Sequence, residues 1–383
     1  MDGLQKTIGN IFLQMAEGLE TGSFGPKPRI ALTGLGSEHG EANALAAASA
    51  AVDRGVEVFY IGSQSAPNLR TVPAANEADA HAAMEDLLAS GAVDGAVTMH
   101  YPFPIGVSTV GRVCTPAFGR EMFIATTTGT ASADRVQGLV KNAVYGIITA
   151  KACGIENPSV GILNVEGARQ AETILKQMAA NGYDIHFASS KRADGGLVLR
   201  GNDVLQATAD VLVCDPLTGN VLMKLLSAYS TGGSFEALGY GYGPGVGPGY
   251  DKLIMIISRA SGAPVIANAI TYAAQLVQGN LFAVAEAEFA AAQQAGMEQL
   301  LNAYQSKNAP RPAALSAAPP PAEPVTAQIP GIEVMDLEDA VQTLWQAGIY
   351  AESGMGCTGP IVLISDPNKE KAAAILQKAG FIG

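Results

Sequence analysis

The chain has 383 residues, of which 48% are hydrophobic and 15% are charged. This balance supplies enough apolar side chains for large buried cores and excludes a chain that is disordered over most of its length. Lysine and arginine number 23 against 35 aspartates and glutamates, and the resulting net charge of −12 argues against a nucleic-acid partner, which needs a basic face. The four cysteines and four histidines are scattered, so they form neither a disulfide framework nor a zinc ligand set.

The sequence predicts a cytoplasmic protein that does not enter a membrane. Its start lacks the basic residues and apolar core of a signal peptide. Residues 260–285 carry no charge and are long enough to span a bilayer. Polar side chains, glycines and a proline interrupt this segment, so we interpret it as a buried helix.

The first predicted element is an amphipathic helix within residues 1–28. Glycines and prolines from Gly22 onward end it. Two interpretations stay open: the helix docks on a partner subunit, or it packs on its own domain. Apolar side chains recur along it at spacings of four and three residues: Leu4, Ile8, Ile11, Met15 and Leu19.

Residues 29–308 alternate short apolar runs with helical patterns rich in alanine and leucine. Continuous apolar strands separated by helices indicate a mostly parallel sheet covered on both faces, a three-layer α/β fold with ligands at the carboxyl ends of the strands. The predicted strands are 30–33, 56–61, 95–99, 122–125, 160–163, 184–187, 211–214 and 253–257. The predicted helices are 41–54, 77–90, 135–153, 168–181 and 220–229.

The composition changes at residues 309–330, which contain seven prolines and no aromatic residue. Such a stretch predicts an extended, semi-stiff linker. Residues 331–383 are predicted to form a small C-terminal α/β module. Its predicted parts are a helix at 337–347, a turn at 354–360, a strand at 361–365 and a helix at 368–378.

Cys357 lies in the predicted turn of this module, between glycines 354, 356 and 359. Glycines let backbone N–H groups converge on one point, which suits a thiolate or the oxyanion that forms when a thiolate attacks an acyl group. An inert turn cysteine fits these residues equally well. The local sequence therefore leaves both interpretations open.

The other cysteines and the histidines indicate structure more than chemistry. Cys153 and Cys214 end a predicted helix and a predicted strand, and we expect both to be buried, while Cys114 stays undecided. The histidines lack metal-type spacing, so no metal site is expected. His100 alone follows a predicted strand, where sites of α/β proteins occur.

The residues after the predicted strand at 211–214 are candidates for binding phosphate. Thr218, Gly219 and Asn220 open a helix, whose N-terminus offers free N–H donors and a positive dipole end, and Lys224 adds a point charge. The alternative is an ordinary N-cap by Thr218 or Asn220. The glycines after the first strand do not have the spacing of a dinucleotide fingerprint.

Glycine occupies every second position of residues 239–249. Ordering so many glycines costs conformational entropy. We predict a loop that closes over a ligand as a lid, with Gly243 and Gly245 at its centre. A surface hairpin without function is the alternative.

Residues 154–166 and 209–221 resemble the PlsX-type phosphate acyltransferases of phospholipid synthesis. That resemblance implies synthesis of acyl phosphate from an acyl thioester and inorganic phosphate, on a fold of the isocitrate/isopropylmalate dehydrogenase-like kind. The chain departs from the family at Glu166-Gly167, where the family often has Glu-Glu, and in its extra C-terminal module.

Residues 230–233, 239–250, 255–266 and 354–360 resemble the alpha subunits of component C of the glycine/sarcosine/betaine reductase complex. The resemblance implies that the selenoprotein component A carries a carboxymethyl group, which component C takes as an acetyl thioester on Cys357. It further implies that phosphate releases this group as acetyl phosphate. It also implies a component C beta subunit as partner, an oligomer, and no cofactor beyond the phosphate substrate.

Several polar residues follow the carboxyl ends of the predicted strands 160–163 and 211–214, and this placement suggests a phosphate pocket. We expect it to be locally positive, because the chain as a whole is acidic, with Lys191, Arg192 and Arg259 as further contributors. The alternative function is a phosphate acyltransferase that acts on acyl carrier protein or acyl-coenzyme A without a protein thioester. The candidate pocket residues are Thr218, Gly219, Asn220 and Lys224, with Asn164, Glu166 and Arg169 as orienting groups.

Overall fold

The computed structural model describes residues 8, 9, 12, 15, 16, 26–192, 195–308, 318–332, 336–356 and 359–382. Within the predicted N-terminal helix, the structure describes residues 8, 9, 12, 15 and 16. These residues are helical, and Ile8, Phe12 and Met15 are exposed. The rest of that prediction lies outside the described residues.

Residues 29–308 contain a mixed β-sheet with helices on both faces. Its strands are β1 (Arg29–Thr33), β2 (Glu57–Gly62), β3 (Arg70–Pro73), β4 (Gly95–Thr98), β5 (Ser108–Cys114), β6 (Glu121–Gly129), β7 (Ser159–Leu163), β8 (His186–Phe187), β9 (Val198–Leu199), β10 (Val211–Val213), β11 (Gly243–Val246) and β12 (Ile254–Ile256). Its helices are α1 (Gly40–Val52), α2 (Glu77–Ala89), α3 (Arg135–Ala152), α4 (Ala168–Ala180), α5 (Gly201–Leu205), α6 (Pro216–Ala228), α7 (Ala263–Gln278), α8 (Leu281–Gln294) and α9 (Met297–Asn308).

The strand order is β3-β2-β1-β4-β12-β11-β5-β6-β10-β7-β8, and β9 also pairs with β7. Neighbours are parallel except at the centre, where β11 runs antiparallel to both β12 and β5, and β5 runs antiparallel to β6. The sheet therefore consists of two parallel halves that run in opposite directions, and the antiparallel pairings of β11 and β5 form the junction between them.

Each face of the sheet carries its own hydrophobic core. Successive side chains of a strand point to opposite faces, and β1 illustrates this, because Ile30 and Leu32 join one core and Ala31 joins the other. Helices α1, α3, α4 and α7 contribute to the first core, and α2, α5 and α6 to the second. The expected α/β layering is confirmed; the dehydrogenase-like name of the fold stays a prediction.

All eight predicted strands and all five predicted helices are present, with ends that shift by a few residues. The uncharged segment 260–285 contains the buried helix α7 and the start of α8. Among the residues that the structure describes, no helix is long and apolar enough to cross a membrane. The sequence prediction missed β3, β5, β9 and β11, which lack a continuous apolar run.

The C-terminal residues form a separate three-stranded antiparallel sheet with helices. Its elements are β13 (Ala327–Pro330), α10 (Leu337–Gln346), β14 (Ala351–Gly356), β15 (Gly359–Ile364) and α11 (Lys369–Ala379), with strand order β13-β15-β14. They enclose their own core, which includes Leu344, Val362 and Leu376.

Two boundaries of the predicted module need correction. Strand β13 lies inside the predicted linker 309–330, and the Glu323 carboxylate accepts hydrogen bonds of 2.9 Å from Ser365 and from Asn368. The folded C-terminal unit therefore begins before residue 331. The predicted turn at 354–360 is largely strand, since β14 continues to Gly356 and β15 begins at Gly359; Cys357 and Thr358 lie outside the described residues.

The lid prediction for Gly243 and Gly245 is wrong, because both residues are buried in β11 and hydrogen-bonded strands flank them on either side. A Cβ on Gly243 would lie 1.6 Å from the carbonyl oxygen of Val110, and its φ of +88° is one that L side chains rarely adopt. A Cβ on Gly245 would lie 2.4 Å from the Phe103 ring. Gly243 therefore permits a close approach of two backbones inside the sheet, and Gly245 leaves room for the Phe103 ring.

Replacing Gly243 by alanine should therefore destabilise the fold by about 3 kcal/mol or more, since it adds a backbone clash and an unfavourable φ. Denaturant unfolding measures this. Gly201→Ala is the matched control, because a Cβ there meets nothing within 4 Å, and its stability should change by less than about 1 kcal/mol. Equal stability of the two variants would contradict this role for β11.

Candidate active site

A cavity of about 620 Å³ opens at the carboxyl ends of β1, β4 and β12. Helix α6, which follows β10 in the other half of the sheet, forms the opposite wall. The strand order reverses between β1 and β4, and the cavity lies at the carboxyl ends of these two strands. Open α/β sheets bind ligands at this kind of position. We call it the strand-end cavity; its lining residues are Glu38, Met99, His100, Tyr101, Thr128, Asn220, Lys224, Tyr242, Ile256, Ile257, Ser258 and Arg259.

Lys224 brings a positive charge to one wall of this cavity. Its ammonium lies 3.4 Å from a carboxylate oxygen of Glu236 and 3.2 Å from the hydroxyl of Ser258. The Lys224 side chain is 54% exposed, whereas that of Glu236 is 3% exposed. The Lys224 side chain is therefore accessible to solvent in the cavity, and its ammonium forms an ion pair with the buried Glu236 carboxylate in the wall.

Glu236 is fully engaged by hydrogen bonds despite its burial. Tyr242 donates its hydroxyl to one carboxylate oxygen at 2.9 Å, and Ser261 donates to the other at 2.8 Å. Burial and the negative charge of Glu236 raise the pKa of Tyr242, which keeps its phenol protonated as a donor. A buried carboxylate needs such partners, and here they fix the group that orients Lys224.

Arg259 supplies the second cation of the strand-end cavity, from the loop after β12. Its guanidinium makes a two-point contact with the Glu77 carboxylate at 3.1 and 2.7 Å and donates to the carbonyl oxygen of Gly36 at 2.9 Å. The hydrogen bond from Arg259 lowers the pKa of Glu77, and that contact also raises the pKa of Arg259. Its planar fork is thereby oriented before any ligand arrives.

The charges around the cavity are nearly balanced. On the wall itself, Lys224 and Arg259 outnumber Glu38, so an excess of positive charge faces the cavity. Behind the wall, Glu236 and Glu77 each neutralise one of these cations. Lys191 and Arg192, which were expected to contribute, do not line the cavity.

Asn220 and Lys224, predicted from sequence, line the strand-end cavity, but Thr218 and Gly219 do not. The N-cap of α6 is Asp215, whose carboxylate accepts the N–H groups of Leu217 and Thr218 at 3.1 and 3.0 Å and the Thr218 hydroxyl at 2.5 Å. The donors predicted for phosphate are thus already satisfied by a carboxylate. Gly219 is buried, and a Cβ there would lie 1.8 Å from the Thr126 carbonyl oxygen.

The predicted orienting residues Asn164, Glu166 and Arg169 follow β7 and do not line the cavity. Glu166 pairs with Arg135, and Arg169 pairs with Glu172 at 3.0 Å. The first ion pair joins the loop before α4 to the start of α3, and the second lies within α4. The structure therefore brings the predicted residues Asn220 and Lys224 to the cavity. It leaves the predicted orienting residues outside the cavity.

The described cysteines are not activated thiols. Burial raises the pKa of Cys153 to about 12, raises that of Cys214, and together with Glu121 raises that of Cys114. A raised pKa leaves little thiolate, the form that acts as nucleophile. Within the described part of the chain, no group of three or more histidine, cysteine or carboxylate side chains is placed to hold a metal ion.

Glu236, Tyr242 and Thr128 were missed by the sequence analysis. Glu236 lies in a loop with no local pattern that marks a buried carboxylate, and it meets Lys224 only through the fold. His100 and Arg259 carried a detectable signal, because each follows a predicted strand at its carboxyl end.

Comparisons with known proteins identify relatives of this chain. The family model "Fatty acid synthesis protein" matches residues 28–363. The "Glycine/sarcosine/betaine reductase complex component C subunit alpha" of Peptoclostridium acidaminophilum is 55% identical over 384 residues, covering 100% of both chains. A "Phosphate acyltransferase" of Thermus thermophilus is 30% identical over 236 residues, 51% of this chain and 70% of that relative. A solved branched-chain phosphotransacylase from Enterococcus faecalis V583 aligns with a TM-score of 0.45 at 16% identity, covering 65% of this chain and 99% of that one.

The match over residues 28–363 shows that the chain belongs to the family of fatty acid synthesis proteins. Within it, the chain belongs to the family of component C alpha subunits of glycine/sarcosine/betaine reductase. The resemblance found in the sequence motifs is thereby confirmed.

If the strand-end cavity binds inorganic phosphate, phosphate should raise the melting temperature of the protein, because ligands that bind only the folded state stabilise it. Lys224→Gln and Arg259→Gln should each weaken phosphate binding at least about tenfold, since each removes a charge-assisted hydrogen bond. Thermal shift against phosphate concentration measures both affinities.

Lys176→Gln is the control for that experiment, because Lys176 is an exposed lysine of α4 paired with Glu172, and its phosphate response should equal that of the wild type. Arg169→Gln should behave in the same way. A phosphate response that survives in Lys224→Gln and disappears in Arg169→Gln would place the anion after β7 instead.

Tyr242→Phe should destabilise the protein by about 1.5–3 kcal/mol, because it removes a hydrogen bond to a buried charged carboxylate. Tyr350→Phe provides the control, since its hydroxyl donates to the exposed Glu352 and should cost less than about 0.5 kcal/mol. Chemical denaturation compares the two. A neutral Tyr242→Phe would show that Glu236 does not depend on this donor.

Proposed function

We propose that this chain carries an acetyl group as a thioester on Cys357 and releases it with inorganic phosphate as acetyl phosphate. The observation that carries the proposal is the pair of cations at the strand-end cavity, Lys224 and Arg259. The buried carboxylate of Glu236 holds Lys224, and both carboxylate oxygens of Glu77 accept hydrogen bonds from Arg259. Full-length similarity to a reductase component C alpha subunit supports it. As partners we propose a selenoprotein component A, which supplies the acetyl group, and a component C beta subunit.

The proposed reaction is a phosphorolysis of the thioester. A phosphate oxygen attacks the thioester carbonyl carbon, and the new C–O bond pushes an electron pair onto the carbonyl oxygen. When this tetrahedral intermediate collapses, the C–S bond breaks and Cys357 leaves as thiolate. The proton of hydrogen phosphate passes to the sulfur, so acetyl phosphate and a free thiol are the products.

The residues of the strand-end cavity suit the phosphate side of this reaction. Lys224 and Arg259 would neutralise phosphate charge, which lowers the repulsion between its oxygens and the developing oxyanion. The wall also offers the side chains of Asn220, Thr128 and Ser258 as further hydrogen-bonding groups. Because Lys224 and Arg259 are fixed by Glu236 and Glu77, little reorganisation is needed when phosphate binds.

The pKa values of the other cysteines support Cys357 as the acyl carrier. Burial raises the thiol pKa of Cys114, Cys153 and Cys214. A thiol of high pKa is a slow leaving group as well as a poorly populated nucleophile. Cys357, between glycines in sequence, is the remaining cysteine of the chain.

A second candidate function is a phosphate acyltransferase that uses an acyl carrier protein or acyl-coenzyme A directly. The similarity to the Thermus thermophilus phosphate acyltransferase favours it, because that similarity covers 51% of this chain. In this case Cys357 takes no part in the chemistry. A truncated chain ending at Asn308 would then keep the activity.

Cys357→Ala should abolish acetyl phosphate formation by the assembled complex, because no thiol remains to carry the acetyl group, while the melting temperature stays within about 2 °C of the wild type. Cys114→Ala is the matched control and should retain most of the activity. Acetyl phosphate is measured as acetyl hydroxamate. Full activity of Cys357→Ala, or of the chain ending at Asn308, would favour the second candidate.

A further inference from the structure

The C-terminal sheet has two edge strands. In the strand order β13-β15-β14, both β13 and β14 pair with β15 on one side only. No other strand of the described part of the chain pairs with their outer edges. An unpaired strand edge is a template for pairing with another chain, and proteins commonly block such edges with proline, lysine or a bulge. The presence or absence of a block therefore indicates which edge is open to a partner.

The register of β14 with β15 determines which backbone groups of β14 point outward. Residue pairs in an antiparallel ladder alternate between pairs that exchange two hydrogen bonds and pairs that exchange none. Met355 lies opposite Pro360, which has no N–H, so this pair belongs to the second kind. The same holds for Ser353 and for Ala351, whose carbonyl oxygen instead accepts the indole N–H of Trp345 at 2.9 Å. The N–H and C=O groups of Ser353 and Met355 therefore point away from β15.

A proline blocks the outer edge of β13. Because Ile361 and Leu363 of β15 direct their backbone groups toward β14, the β13 residues opposite them form pairs without hydrogen bonds. These residues are Gln328 and Pro330, so their backbone groups point outward. Pro330 has no N–H to offer a further strand, which is the position at which edge strands carry proline.

Strand β14 has no such block. Its six residues include neither proline nor lysine, and its register with β15 runs without a bulge. Glu352 and Ser353 are exposed. We call the outward backbone groups of Ser353 and Met355 the β14 edge. It is an open row of hydrogen-bonding groups.

The charges beside the β14 edge are negative. Helix α10 packs against β14 and carries Glu338 and Asp339 in its first turn. Ser353 donates its hydroxyl to Glu338 at 3.0 Å, and Glu352 belongs to the strand itself. The three lysines of residues 318–383 all lie in α11, which packs against β13. An extended segment that carries lysine or arginine is therefore the electrostatic complement of the β14 edge.

We propose that the β14 edge is the docking site of component A, which adds an extended, basic segment to the C-terminal sheet as a fourth strand. Strand addition obtains its affinity from main-chain hydrogen bonds. The position of the edge favours this occupant, because β14 ends at Gly356, immediately before Cys357 in the chain. A protein that charges Cys357 must bring its own reacting group next to that residue. The inference rests on the proposed function, in which component A supplies Cys357.

Hydrogen–deuterium exchange of the full chain, alone and with purified component A, tests this contact. The N–H groups of Ser353 and Met355 have no partner in β15, so they should exchange rapidly in the free chain. Component A should slow their exchange at least about tenfold, because the added strand pairs with them. The outward N–H of Gln328 on β13 is the internal control and should exchange at the same rate with and without component A.

Ser353→Pro removes one outward N–H and no hydrogen bond to β15, a change that edge strands tolerate. It should weaken binding of component A at least about tenfold. Gln328→Pro is the matched control, since it makes the same change on the outer edge of β13, and its affinity should stay within about twofold of the wild type. Isothermal titration calorimetry measures these affinities.

Glu352→Lys tests the charge of the β14 edge and needs no proline. It should weaken binding of component A at least about threefold and reduce the dependence of the affinity on salt. Circular dichroism and melting temperature verify that each variant is folded. If Ser353→Pro does not fold, Glu352→Lys and the exchange experiment decide the question.

Protection of the β14 edge by component A, together with weakened binding of the folded β14 variants and unchanged binding of Gln328→Pro, supports the proposal. Equal binding of the folded β14 variants and the wild type would overturn it. So would protection by the component C beta subunit in place of component A, or slow exchange of the β14 edge in the free chain.

The proposed function is tested separately, by acetylation of Cys357 in the wild type with acetyl phosphate. An acetylated Cys357 beside a β14 edge that component A leaves unprotected refutes the docking site alone. A Cys357 that stays unmodified refutes the proposed function and, with it, the reason for placing component A at this edge.

Discussion

The close backbone approach of β11 to β5 is the constraint on which the candidate site depends. Gly243 lies so near the Val110 carbonyl that no side chain fits there, and this lets β11 run antiparallel between β12 and β5. Tyr242 immediately precedes this contact and donates to Glu236, which in turn holds Lys224. The geometry of a cavity cation is thus set by a glycine in the middle of the sheet.

The cavity also presents two oriented cations on a protein whose net charge is −12. Lys224 and Arg259 each have a carboxylate behind them, so neither is a bare charge in a low-dielectric wall. Their exposed N–H groups remain directed at the cavity because the carboxylates bind from the other side. Such preorganisation keeps the cost of orienting donors out of the binding step.

The sequence was informative where periodicity and strand ends carry the signal. Apolar runs such as 211–214 and 253–257 predicted the strands, and the rule that sites form at their carboxyl ends pointed to His100, Asn220 and Lys224, which line the strand-end cavity. It failed at the glycine-rich segment, because alternating glycines look like a loop when the close approach of a neighbouring strand is unknown. It also could not find Glu236, whose burial and whose meeting with Lys224 arise only in three dimensions.

The sequence alone also could not decide the role of the residues at the start of α6, which Asp215 caps. Threonine, glycine and asparagine at a helix start are compatible with anion binding and with capping, and the choice depends on where the Asp215 side chain turns. In the folded chain that carboxylate occupies the N-terminus of α6. The proposed anion site therefore lies along the second and third turns of α6, where Asn220 and Lys224 line the cavity, and not at the helix terminus.

The proposed function requires a covalent acetyl group on the sulfur of Cys357 that phosphate can remove. Peptide mapping by mass spectrometry, after incubating the full chain with isotopically labelled acetyl phosphate, tests this most directly. We expect the label on the peptide that contains Cys357, and we expect added inorganic phosphate to remove it. Label that is absent from this peptide, or label that stays there when phosphate is added, would contradict the account.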